Sequence, residues 1–477
     1  VHSSNDAAPV AAATAEAPTR SKKPSRPAFY TTRLERTSYN TYWFGQNIAF
    51  ILVTTFLAMF YTSTLGIPAV IVGTILFVAR LWDAAVDPIL ATVIERTRFA
   101  SGKFKPWVRF AAISVPLLTV LCFGFQSILI DQSLAIRIGY AVITYFLWGT
   151  IYAASDGPGY ALSTVMTPEP AERNVILTNN HVTGLLGILV GISAAPQILK
   201  ATGGNWFLTS GILGIVALLA MLPIRVAKER VRISRPAPPK IGEIWRSAVT
   251  NKYLVLAAVI GFIAAASNFA LTLAPFVASD IYGDESSSTI LLMASTVPIV
   301  FVAPFGARLI RRFGKIPILA FSYIVGAILA VTSFFLARDS LTVMTIVSLL
   351  RGVVMAPQLF MIPLMFSDSV EYDEYRQGRR FEAVTFAFQT MMSKASTAVG
   401  GGVALWIIGL AGYQASVAGQ TVHQSAQALD AMWATYNLGA AIGSAIAAVI
   451  LLCFYDLTES KLKVMVEANK SRESIVA

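Results

Sequence analysis

The sequence predicts an all-α membrane protein of twelve transmembrane helices in two six-helix bundles, on three observations. Of 477 residues, 55% are hydrophobic and only 13% charged, where a soluble domain carries about a quarter charged residues. Apolar runs long enough to cross a bilayer, about 20 helical residues each, recur a dozen times with polar punctuation between them. Basic residues gather on alternate connections. A single-span receptor and a peripheral enzyme are excluded.

Spans are expected at 43–64, 68–92, 107–130, 135–165, 175–200, 205–226, 253–282, 287–307, 316–337, 342–370, 381–411 and 429–456. The longer ones must tilt or project into water. Residues 1–42 are rich in Ala, Pro, Ser and Thr and hold no apolar core. They are therefore expected to be a disordered cytoplasmic tail and not a cleaved signal. Residues 43–226 form the N-terminal bundle and 253–456 the C-terminal bundle. The connection 227–252, with the Pro-rich stretch ISRPAPPK, divides them, and 457–477 is a second cytoplasmic tail.

Of the 37 Lys and Arg residues, 6 precede the first span, 5 follow the second, 1 (Arg173) follows the fourth and 8 run from Arg225 through the middle connection to Lys252. A further 4 follow the eighth span, 3 follow the tenth and 4 lie in the C-terminal tail. The alternate loops hold only Arg137, Lys200 and Arg338, while Arg80, Arg351 and Lys394 fall within spans. The positive-inside rule then puts both termini and the middle connection in the cytoplasm, in a plasma membrane or a bacterial inner membrane. The net charge of +11 is a topology signal; the bilayer is the expected partner and nucleic acid is not. Cys122 and Cys453 both lie in apolar runs, have no disulfide or metal spacing, and are expected to pack.

Charges within the spans carry the functional reading, because an ionisable group at mid-bilayer costs about 2.5–3.5 kcal/mol and marks a polar cavity or a transport path. In FVARLWDAAVDP (Phe77 to Pro88), Arg80, Asp83 and Asp87 share one helix face. Pro88 removes the N–H that would bond the carbonyl of Ala84, so two acids and a free carbonyl can hold a cation. The competing reading is that Arg80 merely neutralises Asp83, but one base cannot balance both acids. In YAASDGPGY, Asp156 stands at a point loosened by Gly157, Pro158 and Gly159, with Tyr160 one turn on. An acid beside an aromatic face is a chemically sensible grip for a sugar, and a structural Asp at a kink is the alternative. His181 opens the fifth span beside Asn179 and Asn180, either as a packing residue or as a group protonated during a cycle. Lys394 sits in the eleventh span after Gln389 and Thr390, with Gly400 to Gly402 beyond it. Its natural partners are the acids of the second span across the interface between halves, so a cation and Lys394 would compete for the same carboxylates.

The halves also echo each other: ERTRFASGKFK (Glu95 to Lys105) follows the second span and GARLIRRFGK (Gly306 to Lys315) the eighth. The latter resembles the Gly-and-basic loop of the major facilitator superfamily, although Ile310 stands where that family usually has Asp. Such turns grip helix ends and lipid headgroups; plain positive-inside anchoring is the other reading.

Taken in order, VARLWDAAVDP, GKFKPW, VMTPEPAERN and SDSVEYDEYRQGRRFEAVTF through Lys394 resemble the glycoside, pentoside and hexuronide to cation symporter family, which includes the melibiose carrier. The resemblance covers nearly the whole chain apart from the tails. It implies alternating access around a midplane site between the halves, with a sugar and a coupling cation as partners and no further cofactor. Asp83 and Asp87 match the family's cation-binding acids, Lys394 its buried Lys, and Asp156 with Tyr160 its sugar-contacting acid and aromatic. Gln46, Asn47, Asn180, His181, Gln389 and Thr390 complete the expected substrate-binding set. Arg173 facing Asp368, Glu371 and Arg380 matches a cytoplasmic charged lock that closes when the site faces outward.

Several positions depart from that pattern. Asn47 stands where the melibiose carrier has a second sugar-binding Asp, Gln46 where it has Lys, and His181 where it has Arg, so the sugar need not be a galactoside. Val86 replaces an Asn, and Ala153 a Thr whose hydroxyl would complete a sodium shell. Sodium wants several oxygen ligands and a proton needs one carboxylate, so H+ is preferred over Na+ as the coupling ion. The alternatives are sodium coupling, a same-fold carrier of a lysolipid or other amphipathic solute, and a non-transporting sensor. An enzyme is not expected, because no catalytic constellation or phosphate loop is present.

Overall fold

The computed structural model describes residues 29–97, 99, 101–231, 250–378, 382–417 and 422–476. Among these it is helical, with no strand beyond two isolated bridges. The helices are α1 (Arg33–Met59), α2 (Ala69–Arg96), α3 (Lys105–Cys122), α4 (Leu134–Met166), α5 (Pro170–Ala201) and α6 (Trp206–Met221). After the connection come α7 (Lys252–Ala266, continued by Ala270–Phe276), α8 (Ser287–Val302), α9 (Lys315–Leu336), α10 (Leu341–Gln377), α11 (Glu382–Leu410), α12 (Ala426–Phe454) and α13 (Glu459–Val476). Eleven spans meet the length and apolarity needed to cross a bilayer. α8, at 16 residues, supplies the twelfth and runs on through Ala303–Phe305 and Gly306–Phe313.

Local chemistry sets the ends. Thr32 and Glu35 form a reciprocal capping box, so α1 begins at Arg33. Residues 33–42, expected to belong to a disordered tail, are thus the first turns of the helix. Residues 459–476 likewise continue beyond the last span as α13, where a tail was expected. The side chains of Asn205, Asn251, Ser340 and Ser425 cap α6, α7, α10 and α12. α10 has 37 residues, about 55 Å of helix against a hydrocarbon core of about 30 Å. It must therefore project into water. The Pro-rich stretch of the middle connection lies outside the described residues.

α1–α6 and α7–α12 form two bundles that meet unequally along their length. At the end away from the termini, one apolar cluster runs through both halves, from Phe56, Phe60 and Trp206 to Phe276, Leu405 and Trp433. Small residues allow this contact: a Cβ on Gly73 of α2 would meet the carbonyl of Gly402 on α11 at 2.8 Å. Ser416 N–H donates to the Thr62 carbonyl at 3.1 Å, and Trp406 Nε1 donates to Thr74 Oγ1 at 3.1 Å. At the terminal end the apolar clusters are separate. One holds Tyr39, Trp43 and Val108 of the first half, the other Tyr253, Tyr323 and Leu451 of the second. The halves are sealed at one end and splayed at the end that carries the termini.

Candidate functional site

Of the charged groups expected to meet between the halves, Asp87 and Lys394 do so, while Asp83 stays with Arg80. On α2, Asp83 is buried and its Oδ2 lies 3.4 Å from Arg80 Nη1. Its other oxygen, Oδ1, occupies the space left by Gly149 on α4, where an added Cβ would stand 2.7 Å away. Asp87, one turn along, pairs with Lys394 of α11, a link between residues 307 apart in sequence that joins one half to the other. The pair keeps about a third of each side chain accessible. Arg80 is thus taken by Asp83 and Lys394 by Asp87. Pro88, expected to free the Ala84 carbonyl, lies outside the described side chains.

A second cluster belongs to the first half. Gln46 Nε2 donates to Ser155 Oγ at 2.8 Å and to Asp156 Oδ1 at 3.3 Å. Asn47 Nδ2 donates to the Trp43 carbonyl at 2.8 Å. Tyr160 is 42% exposed, and its ring rests on Trp43 with centroids 4.2 Å apart. Trp43, which the sequence reading did not select, extends this aromatic wall, and its Nε1 is buried without a hydrogen-bond partner. Asn180 is buried with Nδ2 unpartnered, whereas the next residue, His181, is exposed. Gly184 and Gly187 admit α1 closely, so the Asn180 face of α5 packs against the helix carrying Gln46 and Asn47.

The second half contributes a cavity of about 580 Å³ between α7, α8, α10, α11 and α12. Its polar lining includes Asn268, Arg351, Gln358, Gln389, Ser393 and Tyr436. Gln389 is therefore placed at a cavity wall. Thr390 is exposed, returns its hydroxyl to the Phe386 carbonyl at 3.0 Å and is not part of that lining.

Of the residues expected to form a charged lock at the terminal end, Arg173 makes no ion pair with Asp368 or Glu371 among the described residues. Asp368 pairs with Lys315 inside its own half. The Glu371 carbonyl accepts from Asn469 Nδ2 at 3.1 Å, and the Nε of Arg173 is buried without a hydrogen-bond partner. Arg380 lies outside the described residues. The physical reason is the splay: the two halves are apart where Arg173 would meet Asp368, so Asp368 takes its partner from its own bundle.

The two basic turns are held by acids that the sequence reading passed over. Glu229, just after the first bundle, accepts the backbone N–H groups of Lys103, Phe104 and Lys105 at 2.9, 2.8 and 2.7 Å. Glu459, just after the second, accepts Lys315 N–H at 2.6 Å. Gly102 (φ +126°) and Gly314 (φ +81°) supply the left-handed backbone each turn needs. An acid at a helix N-terminus is favoured by its free N–H groups and dipole. Glu172 is a further buried acid, accepting Tyr30 N–H at 3.0 Å, Thr31 N–H at 3.0 Å and the Thr167 hydroxyl at 2.6 Å. Cys122 packs with Sγ toward the Thr144 carbonyl, while Cys453 is exposed on α12.

Residues 39–459 match the model of a family described as MFS/sugar transport protein. The isoprimeverose transporter of Lactiplantibacillus pentosus is 30% identical over 467 residues, covering 93% of each chain. The glucuronide carrier protein homolog of Escherichia coli is 26% identical, over 90% of this chain and 94% of that one. A solved nucleoside transporter, NupG, superposes with a TM-score of 0.64 at 14% identity, covering 89% of this chain and all of the other, which bears on the fold alone. With twelve apolar spans among the described residues, a charge pair between two bundles and a match over most of its length, the chain is a membrane transporter and no enzyme, and it belongs to the MFS sugar-transport family.

Proposed function

We propose that the protein couples entry of a glycoside, pentoside or related sugar to a cation, H+ in preference to Na+, by alternating access in a plasma or inner membrane with both termini cytoplasmic. The observation that carries this reading is the Asp87–Lys394 pair, because it ties the two halves together with charges that a bound cation would disturb. Protonation of Asp87, or a cation bound by Asp83 and Asp87, releases Lys394 and with it a restraint between α2 and α11. Asp83, lodged in the space left by Gly149 and held by Arg80, is the second acid. Proton coupling is favoured because Val86 and Ala153 offer no side-chain oxygen to a metal ion.

The sugar is assigned to the Asp156 cluster. A carboxylate, with Gln46 and Asn47 beside it, accepts hydroxyl protons, and the Trp43–Tyr160 wall covers an apolar ring face. The related isoprimeverose transporter and glucuronide carrier homolog support sugar over lysolipid. Arg173, Asp368, Glu371 and Arg380 are assigned to closing the cytoplasmic end.

Uptake of labelled sugars into vesicles, under a pH gradient or a sodium gradient imposed separately, tests the reading. Asp87→Asn is expected to abolish accumulation against a gradient while exchange of internal for external sugar survives. Accumulation at the wild-type level in both Asp83→Asn and Asp87→Asn would remove the coupling model. For Asp156→Ala, sugar binding itself is expected to be lost.

A further inference from the structure

Three cations, Arg80, Arg351 and Lys394, lie well inside the spans and away from their ends, and they are not treated alike. Arg80 has Asp83 and Lys394 has Asp87. Arg351, at the eleventh position of α10, has no carboxylate within ion-pair distance among the described residues. Its one hydrogen bond is Nε to the Met355 sulfur at 3.4 Å, a weak acceptor. A guanidinium cannot shed its proton to escape this position, and a cation at membrane depth without a counter-ion is costly.

Its surroundings are those of a binding site rather than of a packed core. Arg351 lines the cavity of about 580 Å³, within the range of about 300–1,000 Å³ that holds small ligands. Around it stand Asn268, Gln358, Gln389, Ser393 and the Tyr436 ring. Gln358 is oriented by its bond to Ser322 Oγ at 3.0 Å. The neutral lining can serve hydroxyl groups, but nothing in it balances a positive charge. Ser393 adjoins Lys394 in sequence, which puts the cavity on the flank of the pair joining the halves.

We propose that Arg351 is the anion subsite of the C-terminal half, and that the transported sugar is an acidic one whose carboxylate pairs with this guanidinium. The fork of N–H donors matches a carboxylate in two parallel hydrogen bonds, which a neutral hydroxymethyl group cannot supply. Once bound, the substrate provides the counter-charge that the protein withholds, so a neutral analogue leaves Arg351 unpaired. The inference rests on the sugar-transport reading and adds the charge of the cargo to it.

The test is equilibrium binding to the purified full-length protein in detergent. The probes are methyl glycosides of glucose, galactose and xylose, and the methyl glycosides of glucuronic and galacturonic acid. At least one acid is expected to bind 10-fold or more tightly than its neutral parent. In Arg351→Gln that ratio is expected to fall to about one, and in Arg351→Lys to an intermediate value, because a point charge replaces the fork. Melting temperature and gel filtration report whether each variant is folded; should Arg351→Gln fail to fold, Arg351→Lys carries the comparison. A panel in which no acid binds more tightly than its parent overturns the proposal, as does an unchanged ratio in a folded variant. Acid-selective binding with uptake indifferent to both cation gradients would instead sink the coupling reading and leave the subsite standing.

Discussion

The two halves share a helix plan and differ in chemistry, and the difference separates scaffold from mechanism. Each half begins with a helix tied by ionic contacts to the segment leaving that half, and each has a basic turn held by an acid. In the first half these are Glu35 with Arg230 and Glu229 on the turn; in the second, Lys252 with Asp456 and Glu459 on the turn. At mid-span the likeness ends. The first half carries three acids, Asp83, Asp87 and Asp156, and one base, Arg80, while the second carries the bases Lys394 and Arg351. Repeated features can be supported within one bundle. Arg80 meets Asp83 within the first half, but Asp87 finds its counter-charge in Lys394 across the interface, so the energetics of that pair depend on how the halves are arranged.

The largest effect is expected where that complementarity is removed. Lys394→Gln leaves Asp87 between the bundles without its cation. Breaking a buried pair costs about 3–5 kcal/mol; with about a third of each side chain accessible the low end applies, seen as a lowered melting temperature, and accumulation of sugar is expected to be lost with it. The double variant Asp87→Asn/Lys394→Gln is expected to recover thermal stability toward wild type without recovering accumulation. Recovery of both would make the pair structural.

A smaller effect is expected at the sealed end. Val at Gly73 must displace the Gly402 backbone, since even a Cβ there meets the carbonyl oxygen at 2.8 Å and Leu405 at 3.0 Å. Overpacking of this kind costs about 1–3 kcal/mol, enough to lower uptake about 10-fold. The strain falls only on the arrangement in which α2 and α11 touch, so the halves should part at this end. A Cys at Ser63, beside the Tyr413 hydroxyl at 3.5 Å, is then expected to react faster with an impermeant maleimide in Gly73→Val than in its parent, both carrying Cys453→Ser. Equal labelling rates would show that the seal tolerates the added side chain.

How much of this was legible follows from what each feature costs. The spans and their division into halves could be read because the bilayer demands long apolar helices, and the mid-span charges because they are expensive there. The pairing of Asp87 with Lys394 could be anticipated on charge balance alone. Gly149 and Gly73 could not, since their role depends on which helix lies opposite. Glu229 and Glu459 were missed because an acid in a polar connection is ordinary until the helix end it caps is known. The start of α1 was misplaced for a different reason. The Thr32–Glu35 box is a readable signature, but the boundary was drawn from the apolar run, which begins later. Arg173 was assigned to Asp368 and Glu371 on the resemblance, whereas the splayed arrangement gives Asp368 to Lys315.

The smallest effects separate the two ties at the terminal end. Glu35 is 2% exposed, and Arg230 Nη2 reaches both its oxygens at 2.9 and 2.8 Å while Thr32 N–H donates at 2.8 Å. Glu35→Gln is expected to cost about 2 kcal/mol, seen as a lowered melting temperature, because it breaks charge-assisted bonds to a half-shielded partner. Asp456 has as many partners, Lys461 at 2.6 Å, Tyr253 at 2.8 Å and Lys252 at 3.2 Å, yet half of its side chain is exposed. Hydrogen bonds from Lys461 and Tyr253, then the Lys252 charge, hold its carboxyl well below the ordinary range. A lowered folded-state pKa stabilises the protein above the unfolded value of about 3.9 and loses that contribution as pH falls below it. Asp456→Asn is therefore expected to cost less than about 1 kcal/mol near neutrality, screened further by salt. Its melting temperature should converge on that of wild type as the pH is taken below about 4. A gap that persists in acid would mean that Asp456 acts through packing, and that the two ties differ in kind as well as in exposure.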